Sequence, residues 1–227
     1  MIRCYACSME AATREHVPPK CIFPESKDLK PGVNYRKNLI TVPSCAEHNL
    51  RKSGDDEYLL FTLVANFDVN TVGLQQWATK LRRSMRKRQS KMGIFRNLKP
   101  IIHLGVVTGI YEIDKERLEQ YFELICRGIY YSIFGEPWSH DIQIALPFAF
   151  SGGPNTQNVY NEATSEVVRA ERNFLVYQKR IGDNPKVFYY QLMLKEDGPG
   201  FIFRLVFYEG IEVFGSSDPE FIKPNSN

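Results

Sequence analysis

Cys4-Tyr5-Ala6-Cys7 and Cys45-Ala46-Glu47-His48-Asn49 are the two stretches that decide how this chain folds at its start. A C-x2-C or C-x2-H knuckle presents two soft or borderline donors to one side of an ion from a tight turn. Two knuckles together predict a tetrahedral zinc site of Cys4, Cys7, Cys45 and His48. The 37 residues between them exceed the spacing of ordinary DNA-reading fingers, so an inserted functional segment is expected. Residues 1–60 are rich in Cys, His and Pro and poor in long apolar runs. A segment that small needs a metal staple or a larger neighbour to lean on. Within it, residues 37–43 read as a short strand and residues 46–60 as a helix interrupted at Gly54. Cys21 and Cys126 are left over, and Cys126 lies on an apolar helix face that marks it as core.

Residues 61–227 read more conventionally. Residues 56–66 are apolar at helical spacing. Residues 74–91 place Leu74, Trp77, Leu81 and Met85 three or four apart, which predicts an amphipathic helix with a basic outer face. Residues 114–134 predict a further helix with Leu118, Tyr121, Phe122, Ile125, Ile129 and Ile133 on one face. Glycines and prolines then punctuate the chain and strand signals take over. Residues 142–150 read as a buried strand blemished by Pro147. Residues 172–180, 186–194 and 200–208 read as strands of an antiparallel meander, and the last dozen residues as a frayed tail.

Of the 227 residues, 43% are hydrophobic and 24% charged, the balance of a folded protein rather than a disordered one. No apolar run reaches the ~18–20 residues that span a bilayer, and the N-terminus lacks an apolar signal segment, so no membrane role is expected. Five cysteines without a secretory signal argue against a disulfide scaffold and for a reducing, cytoplasmic setting. The net charge is only +3, but it is unevenly spread. No acidic residue lies between Asp68 and Glu112, while Lys80, Arg82, Arg83, Arg86, Lys87, Arg88, Lys91, Arg96 and Lys99 do. The other 20 basic residues face 26 acidic ones, so one basic stripe rides on a mildly acidic body. Residues Lys80 to Lys91 are the candidate contact to a nucleic-acid backbone; the plainer alternative is a solvated helix face.

A second constellation is Glu15-His16, then Asn38, then Asn49. A carboxylate beside a histidine can hold a hard divalent cation next to a general base, and neutral imidazole takes a proton from water near pH 7. An asparagine near that base can orient it. Asp55, Asp56 and Glu57 read either as extra outer carboxylates or as a solvated helix start.

Together these motifs (Cys4-x2-Cys7, Arg14-Glu15-His16-Val17-Pro18-Pro19-Lys20, Asn38-Leu39-Ile40 and Cys45-x2-His48-Asn49-x2-Lys52) resemble the HNH endonucleases, of the ββα-metal nuclease group. The resemblance covers about a quarter of the chain. It implies an α+β protein: a zinc-stabilised ββα-metal (HNH) module over residues 1–60, then helices and an antiparallel β-sheet over residues 61–227. On the family pattern His16 is the general base and Glu15 and Asn49 hold a catalytic Mg2+ or Mn2+. Asn38 orients the base, with Asn34 a weaker candidate for that place. His48 is taken as the fourth zinc ligand, the alternative being the last catalytic position. The implied reaction is hydrolysis of phosphodiester bonds, in DNA by preference, with deployment in a bacterial defence complex as one setting. Residues 61–227 would bind nucleic acid, regulate, or join a second copy or a protein partner. Two other readings stand beside this one: a zinc-stabilised nucleic-acid-binding module without catalysis, and a gated subunit of a larger assembly.

Overall fold

The computed structural model describes residues 2–87, 99–103, 106–150, 166, 168–170 and 172–218. It is an α+β protein in which antiparallel strands and helices share one core. Strand β1 (Thr13–His16) pairs antiparallel with β2 (Thr41–Ser44), Glu15 opposite Val42 and His16 opposite Thr41. Pro43 donates no hydrogen bond, so it belongs where a strand has a free edge; there its carbonyl accepts from the Tyr5 amide at 2.9 Å. The connection between the two strands carries a cis Val17–Pro18 bond and two short 3-10 turns, Lys20–Ile22 and Ser26–Asp28. Helix α1 (Ala46–Val64) follows directly and runs unbroken through Gly54, so the interruption expected there does not occur. Tertiary packing of Tyr58, Leu59, Leu60, Phe61, Leu63 and Val64, all buried, outweighs the weak helix propensity of one glycine.

The expected boundary at residue 60 falls inside α1, and the buried cluster runs without a break from Cys4 to Val213. Helix α2 (Thr71–Gln76) is capped by the Asn70 side chain, which accepts from the amides of Val72 and Gly73. A π-helical turn, Trp77–Leu81, leads into α3 (Arg82–Lys87). That turn overturns the predicted apolar face. Leu74 is 55% and Trp77 38% exposed, while Val72, Gly73, Gln76 and Leu81 are buried. The extra residue in the turn puts Gln76 and Leu81, five apart, on the inner side. Gln76 is accepted inside because its amide donates to the Ile22 carbonyl at 2.9 Å.

Strands β3 (Lys99–His103) and β4 (Val106–Ile110) form a hairpin that the sequence reading lacked. Helix α4 (Lys115–Phe134) lies where the periodicity places it. The Asp114 side chain caps its start and Gly135, at φ +77°, ends it. Its predicted face is buried except for Ile133, which is 41% exposed, and Cys126 is fully buried as expected of core.

The main sheet has the order β5-β9-β8-β7-β6, every pair antiparallel. Its strands are β5 (Gln143–Ala145), β6 (Ile181–Asn184), β7 (Phe188–Leu194), β8 (Phe201–Phe207) and β9 (Ile211–Ser217). The strand expected over residues 142–150 shrinks to β5, because Pro147 opens a 3-10 turn instead of continuing the ladder. Residues 172–175 are helical, not strand. Of this apolar run only Leu175 is buried, against Phe214 on the outer face of the sheet, while Phe174, Val176 and Tyr177 stay exposed. Of the tail expected to fray, Ser216 and Ser217 belong to β9, an inner strand, and residues 219–227 lie outside the described residues. Helix α4 covers the inner face, with Phe122 edge-on to Phe207 at 5.7 Å between ring centres.

The start of the chain is seated on this scaffold by close approaches. A Cβ on Gly128 of α4 would lie 2.7 Å from a methyl of Val17. Tyr208, between β8 and β9, donates its hydroxyl to the Ile22 carbonyl at 2.5 Å. The Asn184 amide donates to the Lys37 carbonyl at 2.8 Å. Gly128→Ala must therefore push the loop after β1 off α4. It should lower the free energy of unfolding by about 1–3 kcal/mol in a denaturant titration.

Candidate metal centre and the face beside it

Cys4 and Cys7 reach the metal centre from the turn ahead of β1, and Cys45 and His48 from the first turn of α1. The turn is closed by the Cys4 amide donating to the Met9 carbonyl at 2.9 Å. The helix sets Cys45 and His48 three apart on one side, and the Asn49 amide donates to the Cys45 carbonyl at 3.1 Å. The four ligand atoms all lie within 4.8 Å of one another. Tetrahedral coordination at ordinary zinc bond lengths requires S···S near ~3.8 Å and S···N near ~3.5 Å. Cys7 and Cys45 sulfurs are 3.8 Å apart, and His48 Nδ1 lies 3.7 Å from Cys4, 3.6 Å from Cys7 and 3.1 Å from Cys45. The cluster can thus hold a metal ion such as zinc. Burial pushes the Cys7 thiol up to about 11. Burial also opposes ionisation of Cys45, but hydrogen bonds from the backbone and ring of His48 outweigh it and bring the thiol down to about 7. Cys21 stays outside the cluster, its thiol donating to the Asp56 carbonyl at 3.2 Å and pushed up to about 12 by burial.

Beside this centre, β1 presents two faces. Thr13 and Glu15 lie on one, Arg14 and His16 on the other, since strand side chains alternate. Helix α1 packs against β1, and the Asn49 amide donates to the Thr13 hydroxyl at 3.0 Å. Thr13 and Glu15 point to the same side of β1, and Asn49 reaches Thr13 there. Glu15 is only 7% exposed. Its neighbour is Tyr5, fully buried, whose phenol is raised well above its ordinary value by burial first and then by the Glu15 charge and hydrogen bond.

His16 closes β1 and is half-buried. Burial holds its imidazole below the ordinary value, the Lys20 charge adds to this, the Ile40 carbonyl opposes it, and Arg36 lowers it further. It is thus a neutral base at neutral pH. Asn38 is exposed, in the left-handed region at φ +47°, two residues before Ile40. The Ile40 carbonyl accepts from the Val17 amide at 3.0 Å, next to His16. Asn34 accepts from the Arg36 amide at 2.8 Å and so shapes the loop that carries Arg36.

The basic stripe divides. Arg83 makes a two-pronged pair with Asp28 at 2.6 and 2.7 Å, and Lys80 donates to the Cys21 carbonyl at 2.9 Å. Both side chains fasten α2–α3 to the loop after β1. Arg82 is exposed, and Arg86 and Lys87 continue α3. Arg88, Lys91 and Arg96 lie outside the described residues. Asp55, Asp56 and Glu57 sit in the middle of α1, not at a helix start. Asp55 pairs with Arg117 of α4, Asp56 accepts from the Tyr121 hydroxyl and Glu57 from Ser84. The sequence reading passed over Tyr5 and Thr13. Tyr5 had one visible signal, its place inside the first knuckle; Thr13 had only its alternation with Glu15.

No protein-family model, no curated protein and no solved structure matches this chain. Among the described residues, no helix is long and apolar enough to cross a membrane.

Two outcomes follow from this geometry. Purified protein should carry one zinc per chain by elemental analysis, and Cys45→Ser should lose it, with a lower melting temperature. Arg83 holds the Asp28 carboxyl below its ordinary value of 3.8. A lowered acid stabilises the fold above that value and loses its contribution as pH falls through the folded one. Asp28→Asn should therefore be less stable than wild type at neutral pH, and the gap in denaturation midpoint should close in strong acid.

Proposed function

We propose that the protein is a metal-dependent endonuclease of the HNH type that hydrolyses phosphodiester bonds in DNA. The observation that carries the reading is a juxtaposition: Glu15 and His16 at the end of β1, with Asn49 on the following helix fastened to Thr13 of the same strand. The strand–strand–helix order around them, pinned by a Cys3His cluster, supports it. In this reading the cluster holds structural zinc, and Glu15 and Asn49 hold Mg2+ or Mn2+, which when bound would stabilise charge on the phosphate and the leaving 3′ oxygen.

His16 takes the proton from the attacking water. Its depressed basicity keeps it neutral and ready, and Lys20 and Arg36, the cations that depress it, also favour a phosphate at its side. Arg14, exposed on the His16 face and braced by the Thr41 carbonyl at 2.9 Å, offers a further backbone contact. Exposed Arg82 extends the contact to flanking phosphates.

The burial of Glu15 favours a second reading, a zinc-stabilised nucleic-acid-binding module without catalysis. A single comparison separates the two. Wild-type protein with Mg2+ or Mn2+ should cleave plasmid DNA, and His16→Ala, at equal zinc content and equal melting temperature, should be ~10²–10⁴-fold slower. Equal cleavage by both proteins would remove His16 as the base, and DNA retention without cleavage by either would leave the binding module standing.

A further inference from the structure

Helix α2, the π turn and α3 carry a face that the proposed chemistry leaves unused. Thr71, Leu74, Trp77, Ala78 and Arg82 are exposed along it. The residues between them turn the other way: Gln76 and Leu81 are buried, Lys80 donates to the Cys21 carbonyl and Arg83 pairs with Asp28. The rod is fastened along one side and open along the other. The π turn, Trp77–Leu81, is what leaves an indole on the open side, and such turns are rare and concentrate at functional sites. Leu74, Trp77 and Ala78 make an apolar patch of three residues. A stable protein interface takes about 20–30 residues a side, so the patch is too small to seat one. Arg82 follows directly after the π turn, and the chain has no acidic residue between Asp68 and Glu112. An exposed indole beside positive charge suits a base and its phosphate, since every base has a π face and the cation draws the backbone.

We propose that Trp77 is a stacking platform for an unpaired nucleobase, with Arg82 holding an adjoining phosphate. The ligand is single-stranded or locally unpaired nucleic acid, because the bases of an intact duplex are already stacked on one another. The inference rests on nucleic acid being the ligand, which both readings above share, and not on cleavage. Stacking on an aromatic ring tolerates any sequence, so a homopolymer is a sufficient probe.

The test is oligothymidylate binding by zinc-loaded full-length protein, with no other divalent cation present. Trp77 and Trp138 are the only tryptophans of the chain. Trp138 is buried and its indole donates to the Ser217 hydroxyl at 3.0 Å, so emission quenched by a ligand reports Trp77. The oligomer should quench that emission, and an abasic backbone of equal length should not. By fluorescence anisotropy Trp77→Ala should bind the oligomer about 5–100-fold more weakly, and Trp77→Phe, which keeps a ring, should lose less. Wild-type affinity in Trp77→Ala, or equal quenching by the abasic backbone, overturns the proposal and leaves the nuclease reading untouched. Binding of duplex DNA alone does the same. Should Trp77→Ala fail to fold, the two quenching measurements on wild type decide. A wild-type dimer that Trp77→Ala turns into a monomer in sedimentation would give this face to a second copy and overturn the proposal. Quenching and weakened binding as expected, with no cleavage by wild type once Mg2+ or Mn2+ is added, would leave the platform in place and remove the nuclease reading. No binding of any of these nucleic acids removes both.

Discussion

Four donor atoms within 4.8 Å of one another tie the first turn of the chain to the start of α1. The rest of the first segment depends on that knot. Residues 2–45 contribute two four-residue strands and two single-turn helices, too little regular structure to define a core alone. With the knot in place, the turn that supplies Cys4 and Cys7 also supplies Tyr5, and the helix that supplies His48 also supplies Asn49.

The knot alone does not orient the segment. That comes from the scaffold it leans on. Val17 fills the space where Gly128 has no side chain, Tyr208 takes the Ile22 carbonyl, and Arg83 takes Asp28. Asp55, Asp56 and Glu57 of α1 engage Arg117, Tyr121 and Ser84.

Much of this was legible in the sequence where a local rule governs. The knuckle spacing found the metal cluster because ligand geometry is set by a few adjacent residues. Helix α4 was found because Asp114, Gly135 and the apolar period between them agree. Residues 186–194 and 200–208 carry the β-rich composition of inner strands and became β7 and β8. What escaped depends on distant partners. Lys80 and Arg83 are written like nucleic-acid contacts, and only the loop around Cys21 and Asp28 turns them inward. Leu74 and Trp77 keep helical spacing, but a single π turn rotates them out. The β9 segment holds Gly215, Ser216 and Ser217, poor strand formers, and is a strand because β8 and β5 pair on either side and Gly215 leaves room for Cys126. The burial of Glu15 is a fact of tertiary packing.

Helix α1 has one more consequence. It is a single rod of 19 residues, about 28 Å long at the usual rise, with His48 in its first turn and Val64 at its last. Its first turn belongs to the metal knot and its last two turns to the common core. Without a hinge between them, the start of the chain and the β-sheet are parts of one cooperative unit. An ion held at one end then contributes to the order of the whole protein, much as a nail at the end of a beam holds up the floor beyond it.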